Sequence, residues 1–101
     1  MVAILPPDIC TIEYHDNRGI AQLSAALTTQ SNREGTYRLQ VQSISDAGSS
    51  TTTQGGDFSA KPGRREELSQ ATVTGGIGKW KAELKVYDSS GNLLCHSKAP
   101  E

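Results

Sequence analysis

Apolar residues in this chain recur at every second position, with no sustained run at the helical spacing of three and four. Successive strand side chains point to opposite faces of a sheet, whereas a helix needs a 3.6-residue repeat, so this period restricts the chain to β structure. Ile9 to His15 carries Cys10, Ile12 and Tyr14 on one side. After the turn signal Asn17-Arg18-Gly19, Ile20 to Thr29 sets Ala21, Leu23, Ala25 and Leu27 against Gln22, Ser24 and Thr28. Thr36 to Ser45 sets Tyr37, Leu39 and Val41 against Arg38, Gln40 and Gln42. The clearest alternation is Lys79 to Tyr87, with Trp80, Ala82, Leu84 and Val86 inward and Lys79, Lys81, Glu83, Lys85 and Tyr87 outward.

Turn-forming residues separate these runs. They include Asp46-Ala47-Gly48, Pro62-Gly63, the bend Gly75-Gly76-Ile77-Gly78 and the hairpin loop Asp88-Ser89-Ser90-Gly91-Asn92. Ile44 falls out of phase, so a bulge or strand end is expected there. Ser49 to Gln54 is nearly all Ser and Thr, suited to an edge strand. Gly55-Gly56 interrupts it as a bulge or turn, and Asp57 to Lys61 resumes around Phe58. Arg64-Arg65-Glu66-Glu67 is a mixed-charge stretch whose cations are partly neutralised. Leu68 to Thr74 reads as a short strand, and Leu93 to Lys98 closes the chain. About seven short strands with regular turn signals predict an all-β fold, an immunoglobulin-like antiparallel β-sandwich. Its expected span is 9–98, after an N-terminal extension at 1–8 and before a tail at 99–101 that frays.

The chain has 101 residues, one domain's worth, and 10 Lys+Arg against 11 Asp+Glu. Near-neutrality argues against bulk nucleic-acid binding, which needs an excess of cations. No apolar run approaches the roughly 18 residues that span a bilayer, so no membrane insertion is expected. Met1–Pro7 has neither a basic region nor enough apolar length for a signal peptide, so an exported form would be the mature chain with an added Met.

Two cysteines, Cys10 and Cys95, lie near opposite ends, with no CxxC and no zinc-type spacing. They form either one disulfide or two separate buried thiols. Their even number and their places in the first and last strands favour the disulfide, which implies an oxidising compartment.

Catalysis finds little support. His15 and His96 are the only histidines, no nucleophile motif surrounds any serine, and no carboxylate pair stands out. A metal site from His15, Asp16 and His96 would require the first and last strands to lie close. The 75–78 glycines do not open a helix, so no phosphate cradle is expected. Charge patterning is more informative. In an immunoglobulin strand order the third, sixth and seventh strands share a sheet. Arg38, Gln40 and Gln42 would then lie beside Lys79, Lys81 and Lys85 on one outer face, a local basic patch on a neutral chain. Such a face either keeps the domain soluble or attracts an anionic or polar partner.

Several segments together carry a family likeness: Gly35-Thr36-Tyr37-Arg38-Leu39-Gln40-Val41, Gly48 through Gln54-Gly55-Gly56-Asp57-Phe58-Ser59-Ala60, Leu68-Ser69, Trp80-Lys81-Ala82-Glu83-Leu84-Lys85-Val86 and the closing strand with Cys95. The chain resembles the CsgH group of curli-assembly proteins, functional relatives of CsgC, over residues 9–97. The resemblance implies a periplasmic immunoglobulin-like domain that keeps the curli subunit CsgA from polymerising into amyloid before export. It implies a monomeric, chaperone-like inhibitor without cofactor or enzymatic turnover. CsgC carries a CxC motif that points to redox chemistry, and Cys10 and Cys95 form no such motif. A thiol-disulfide oxidoreductase acting in curli assembly is the alternative reading, and the missing motif counts against it. A passive adhesin or carbohydrate-binding module is a third, for which only Tyr14 and Tyr87 would be exposed aromatics. A polar edge strand at Ser49–Gln54 would add transient β-pairing with a client.

Overall fold

The alternating runs become strands: β1 (Ile9–Asn17), β2 (Ile20–Thr28), β3 (Arg33–Ser45), β4 (Gly48–Ala60), β5 (Arg65–Thr74), β6 (Trp80–Asp88) and β7 (Leu93–Ala99). The computed structural model describes residues 8–45, 48–74 and 79–100, and these contain no helix. The expected turn at Asp46-Ala47, the Gly75–Gly78 bend, the Met1–Pro7 segment and Glu101 lie outside the described residues. Two antiparallel sheets result, ordered β1-β2-β5 and β4-β3-β6-β7. The third, sixth and seventh strands share a sheet, as the strand-order argument required. β4 joins them because it folds straight back on β3, in register from Arg33↔Ala60 to Ser45↔Gly48.

Four sequence expectations change or narrow. Gly55-Gly56 does not interrupt anything: β4 runs unbroken for 13 residues, with Arg38↔Gly55 and Tyr37↔Gly56 in the ladder. The pair permits the Tyr37 ring to lie across β4, its hydroxyl 3.4 Å from where a Cβ on Gly56 would sit. At Ile44 the strand end forms and the bulge does not: β3 stops one residue later, at Ser45, and Ile44 stays in register with Ser49, its side chain, 48% exposed, facing outward. β5 begins at Arg65 rather than Leu68, because Arg65, Glu66 and Glu67 pair with Thr28, Leu27 and Ala26. Leu68 is the extra residue of a bulge opposite Ala25 and Ala26. At the far end Ala99 does not fray: it pairs with Ala82 and is 3% exposed.

The inward residues of both sheets meet in one core. Leu39 and Leu84, paired across β3 and β6, are fully buried against Leu23 and Leu27 of the other sheet. Each such side chain contributes about 1.5–3 kcal/mol on leaving water. Trp80 is buried, and Tyr14 covers it edge-on at 5.2 Å between ring centroids. Tyr37 is half-buried at the core margin. Cys10 on β1 and Cys95 on β7 form a disulfide, with Cα atoms 5.7 Å apart. It joins the two sheets and closes a loop of 85 residues.

Two local devices fix β6 against its neighbours. At Gly35 a Cβ would lie 1.9 Å from the Tyr87 carbonyl oxygen, so β3 and β6 approach too closely for any side chain. Gly35→Ala is expected to cost roughly 2–3 kcal/mol, the usual penalty of forced overpacking. A lowered denaturant midpoint at unchanged slope would register it, and an unaltered midpoint would refute the close approach. In the β6–β7 hairpin the Asp88 carboxylate accepts the N–H groups of Ser90 and Asn92, each at 2.9 Å. The Asn92 backbone bond is foremost in holding the Asp88 carboxyl below its ordinary value of 3.8. A lowered folded pKa gives stabilisation that is complete above the unfolded value and disappears as pH falls through the folded one. Wild-type unfolding midpoints should therefore drop below about pH 3.8 by an increment that Asp88→Ala lacks. Parallel acid limbs for the two proteins would contradict this.

Candidate functional site

Because β3, β4, β6 and β7 form one sheet, their outward residues make a single surface. The ladders place Arg38 opposite Lys85, Gln40 opposite Glu83, and Gln42 opposite Lys81. On one flank they place His96 beside Lys85 and Lys98 beside Glu83. On the other, Gly55, Thr53 and Thr51 stand beside Arg38, Gln40 and Gln42. Five of the six residues expected from the sequence are thus adjacent. Lys79, the sixth, stands one residue before β6 and at the rim, its backbone carbonyl accepting the Ile44 N–H at 2.7 Å.

Sequence reasoning missed Lys98. The signal was present, since Lys98 shares the outward phase of β7 and that strand was expected beside β6. Glu83 lies between Lys85 and Lys98, at 3.9 and 3.8 Å from their ammonium groups. One carboxylate so shared leaves the local balance positive, with Arg38, Lys81, Lys85 and Lys98 around it. Exposed pairs at these distances contribute at most about 1 kcal/mol.

Arg38 directly opposite Lys85 is a like-charge cross-strand pair, an arrangement that costs a sheet stability. Local choices that work against the fold concentrate where function requires them. Beside this pair lies a shallow depression of about 290 Å³, lined by Gln40, Gln42, Lys81, Glu83, Lys98 and Pro100 among others. It offers amide donors and acceptors flanked by ammonium groups, suited to a polar extended chain with some acidic character.

The outer face of the three-stranded sheet differs in kind. It has a depression of about 480 Å³ near Glu13, His15, Gln22 and Gln70. There Arg65 pairs with Glu13 at 3.1 Å, and Glu67 accepts hydrogen bonds from Ser24 and Gln70. Its charged groups are largely satisfied internally, whereas Arg38 and Lys81 have no ion-pair partner among the described residues.

The candidate metal trio is not brought together. His15 pairs with Gln22 on the outer face of one sheet, and His96 with Lys85 on the outer face of the other. Among the described residues no group of three or more His, Cys, Asp or Glu is placed to hold a metal ion.

A segment the resemblance singled out now has a structural role. From Gln54 to Phe58, Gln54 reaches across to the other sheet, where its carbonyl accepts the Ser69 hydroxyl. Gly56 lies under Tyr37, and Phe58 enters the core.

The family model for the CsgH protein matches residues 9–98. Comparison with curated proteins gives no match. Among solved structures, the solution structure of R. palustris CsgH is 23% identical with a TM-score of 0.70, covering 90% of this chain and 89% of that one. The E. coli curli protein CsgC is 14% identical with a TM-score of 0.81, covering 93% of this chain and 99% of that one.

Proposed function

Because this chain belongs to the CsgH family, we propose that it acts in curli assembly as a periplasmic, chaperone-like inhibitor. It keeps the major subunit CsgA, or a similar amyloid-forming protein, from polymerising prematurely. The protein works as a monomer, without cofactor, enzymatic turnover, nucleic acid or membrane insertion. A disulfide closing most of the chain suits an oxidising compartment such as the periplasm.

The observation that carries this reading is the open cationic surface built by β3, β6 and β7. Amyloid growth proceeds through polar, amide-rich strands stacking edge to edge. An inhibitor must meet such strands repeatedly without being incorporated. Charge steering with weak, reversible contacts meets that need, since complementary potentials raise encounter rates more than they raise affinity. Arg38, Gln40, Gln42, Lys81, Lys85 and Lys98 supply those contacts, with Lys79 at the rim.

The test is an amyloid-dye time course of purified curli subunit with substoichiometric amounts of this protein. Prolonged delay at low ratios is expected, from interception of rare nuclei. An unchanged lag at equimolar protein would end the proposal. The disulfide leaves thiol-disulfide exchange as the second reading. Insulin reduction separates the two, and turnover above background would favour the oxidoreductase.

A further inference from the structure

β4 is the one sheet edge, among the described strands, without a protective device. β7, at the opposite edge of its sheet, is short, carries His96 and Lys98, and is tied by the disulfide to β1, itself an edge of the other sheet. β5 opens with Arg65, Glu66 and Glu67 and contains a bulge. Charges, bulges and short length are how proteins blunt edges. β4 is 13 residues long, unbulged, free of proline, and carries only Asp57 as a charge.

Within that edge Gly55 and Gly56 remove two side chains that would separate β3 from an added strand. On the outer face, Gly55 leaves an open lane from Arg38 to the edge. Two strand spacings, about 10 Å, separate Arg38 from a strand added beyond β4, a gap that two long side chains bridge. Arg38 is exposed and has no ion pair among the described residues. On the inner face, the Tyr37 ring lies over Gly56 and reaches toward the same edge.

We infer that Gly55-Gly56 is a docking slot for an extended segment of a partner chain, added as a strand beside β4 with an acidic residue facing Arg38 and an adjacent apolar residue covering Tyr37. Charge complementarity to Arg38 and the exposed part of the half-buried Tyr37 ring set the register, while the β4 backbone supplies the hydrogen bonds. Asp57, two residues along the same outer row, disfavours a second acid there. The slot deepens the inhibitor reading by stating what the client segment looks like, but its binding does not depend on which protein the client is.

The probes are two capped nine-residue peptides of alternating Gln and Thr, one with Glu-Val and one with Lys-Val at the centre. Each is titrated into ¹⁵N-labelled protein. Amide shifts should concentrate at Gln54–Phe58, with the Glu peptide binding about five- to tenfold tighter, the swing from attraction to repulsion of an exposed pair. Arg38→Gln should bring that ratio to near one. Equal affinities in the wild type, shifts centred on another strand, or β4 shifts that follow protein concentration without peptide would overturn the slot. The last outcome would mean that a second copy occupies the edge. Lys81→Glu/Lys98→Glu keeps Arg38 and Tyr37, so it should retain the peptide preference even if it loses inhibition. That separates failure of the slot from failure of the face.

Discussion

Reversing Lys81, Lys85 and Lys98 together to Glu is expected to remove most of the delay in client polymerisation while leaving the fold intact. All three side chains stand on an outer face, and the Glu83 contacts that would be lost are 3.9 and 3.8 Å long. Such exposed pairs contribute about 0–1 kcal/mol, so the domain tolerates their loss. The surface changes from four cations around one carboxylate to Arg38 among four carboxylates. Steering then opposes encounter with an acidic client, and about tenfold more variant should be needed for the same lag. Added salt should act on the wild type in the same direction, because screening shortens the reach of exposed charge to about 8 Å at physiological strength. Gln22→Glu, on the outer face of the other sheet, is the control and should inhibit like wild type. A triple variant that delays polymerisation as well as wild type would remove the face from the mechanism.

Replacing both Cys10 and Cys95 by Ser is expected to be the most damaging change to stability. Closing a loop of 85 residues restricts the unfolded chain by about 4.6 kcal/mol in the chain-entropy model. Against a total of about 5–15 kcal/mol for a domain of this size, that is a large share. A fall in Tm of about 20 °C is expected. Reduced wild-type protein should melt with the double variant, and a drop of only a few degrees would contradict the stapling role. Below its melting temperature the variant should still delay polymerisation, because Cys95 has the inward phase of β7 while His96 and Lys98 face outward. Loss of inhibition by a folded double variant would instead favour the redox reading.

The alternation of β2, β3 and β6 made the sandwich legible, since each has an unbroken apolar row at alternate positions (Ala21 to Leu27, Tyr37 to Val41, Trp80 to Val86) and a short period leaves few alternatives. Lys81 and Lys85 were legible for the same reason. β4 was less so. Glycine normally marks an interruption in a strand, and nothing local reveals that Tyr37, on a neighbouring strand, covers the gap at Gly56. Near Ile44 the strand end was legible to within one residue, but the absence of a bulge was not, because an outward apolar residue looks like a change of phase until pairing with Ser49 is known. The charged start of β5 lay outside the expected strand, although backbone pairing with β2 continues through it while the side chains alternate past the core. Lys98 was recoverable from phase alone. Glu83's position between two lysines was not, because it depends on the β6–β7 register.

An NMR titration of labelled protein with freshly prepared monomeric curli subunit reads the contact itself. Broadening and shifts at Arg38, Gln40, Gln42, Lys81, Lys85 and Lys98, reduced by salt, are expected. Perturbation confined to the outer face of β1, β2 and β5, or contact that salt leaves unchanged, would contradict a client held by the cationic surface.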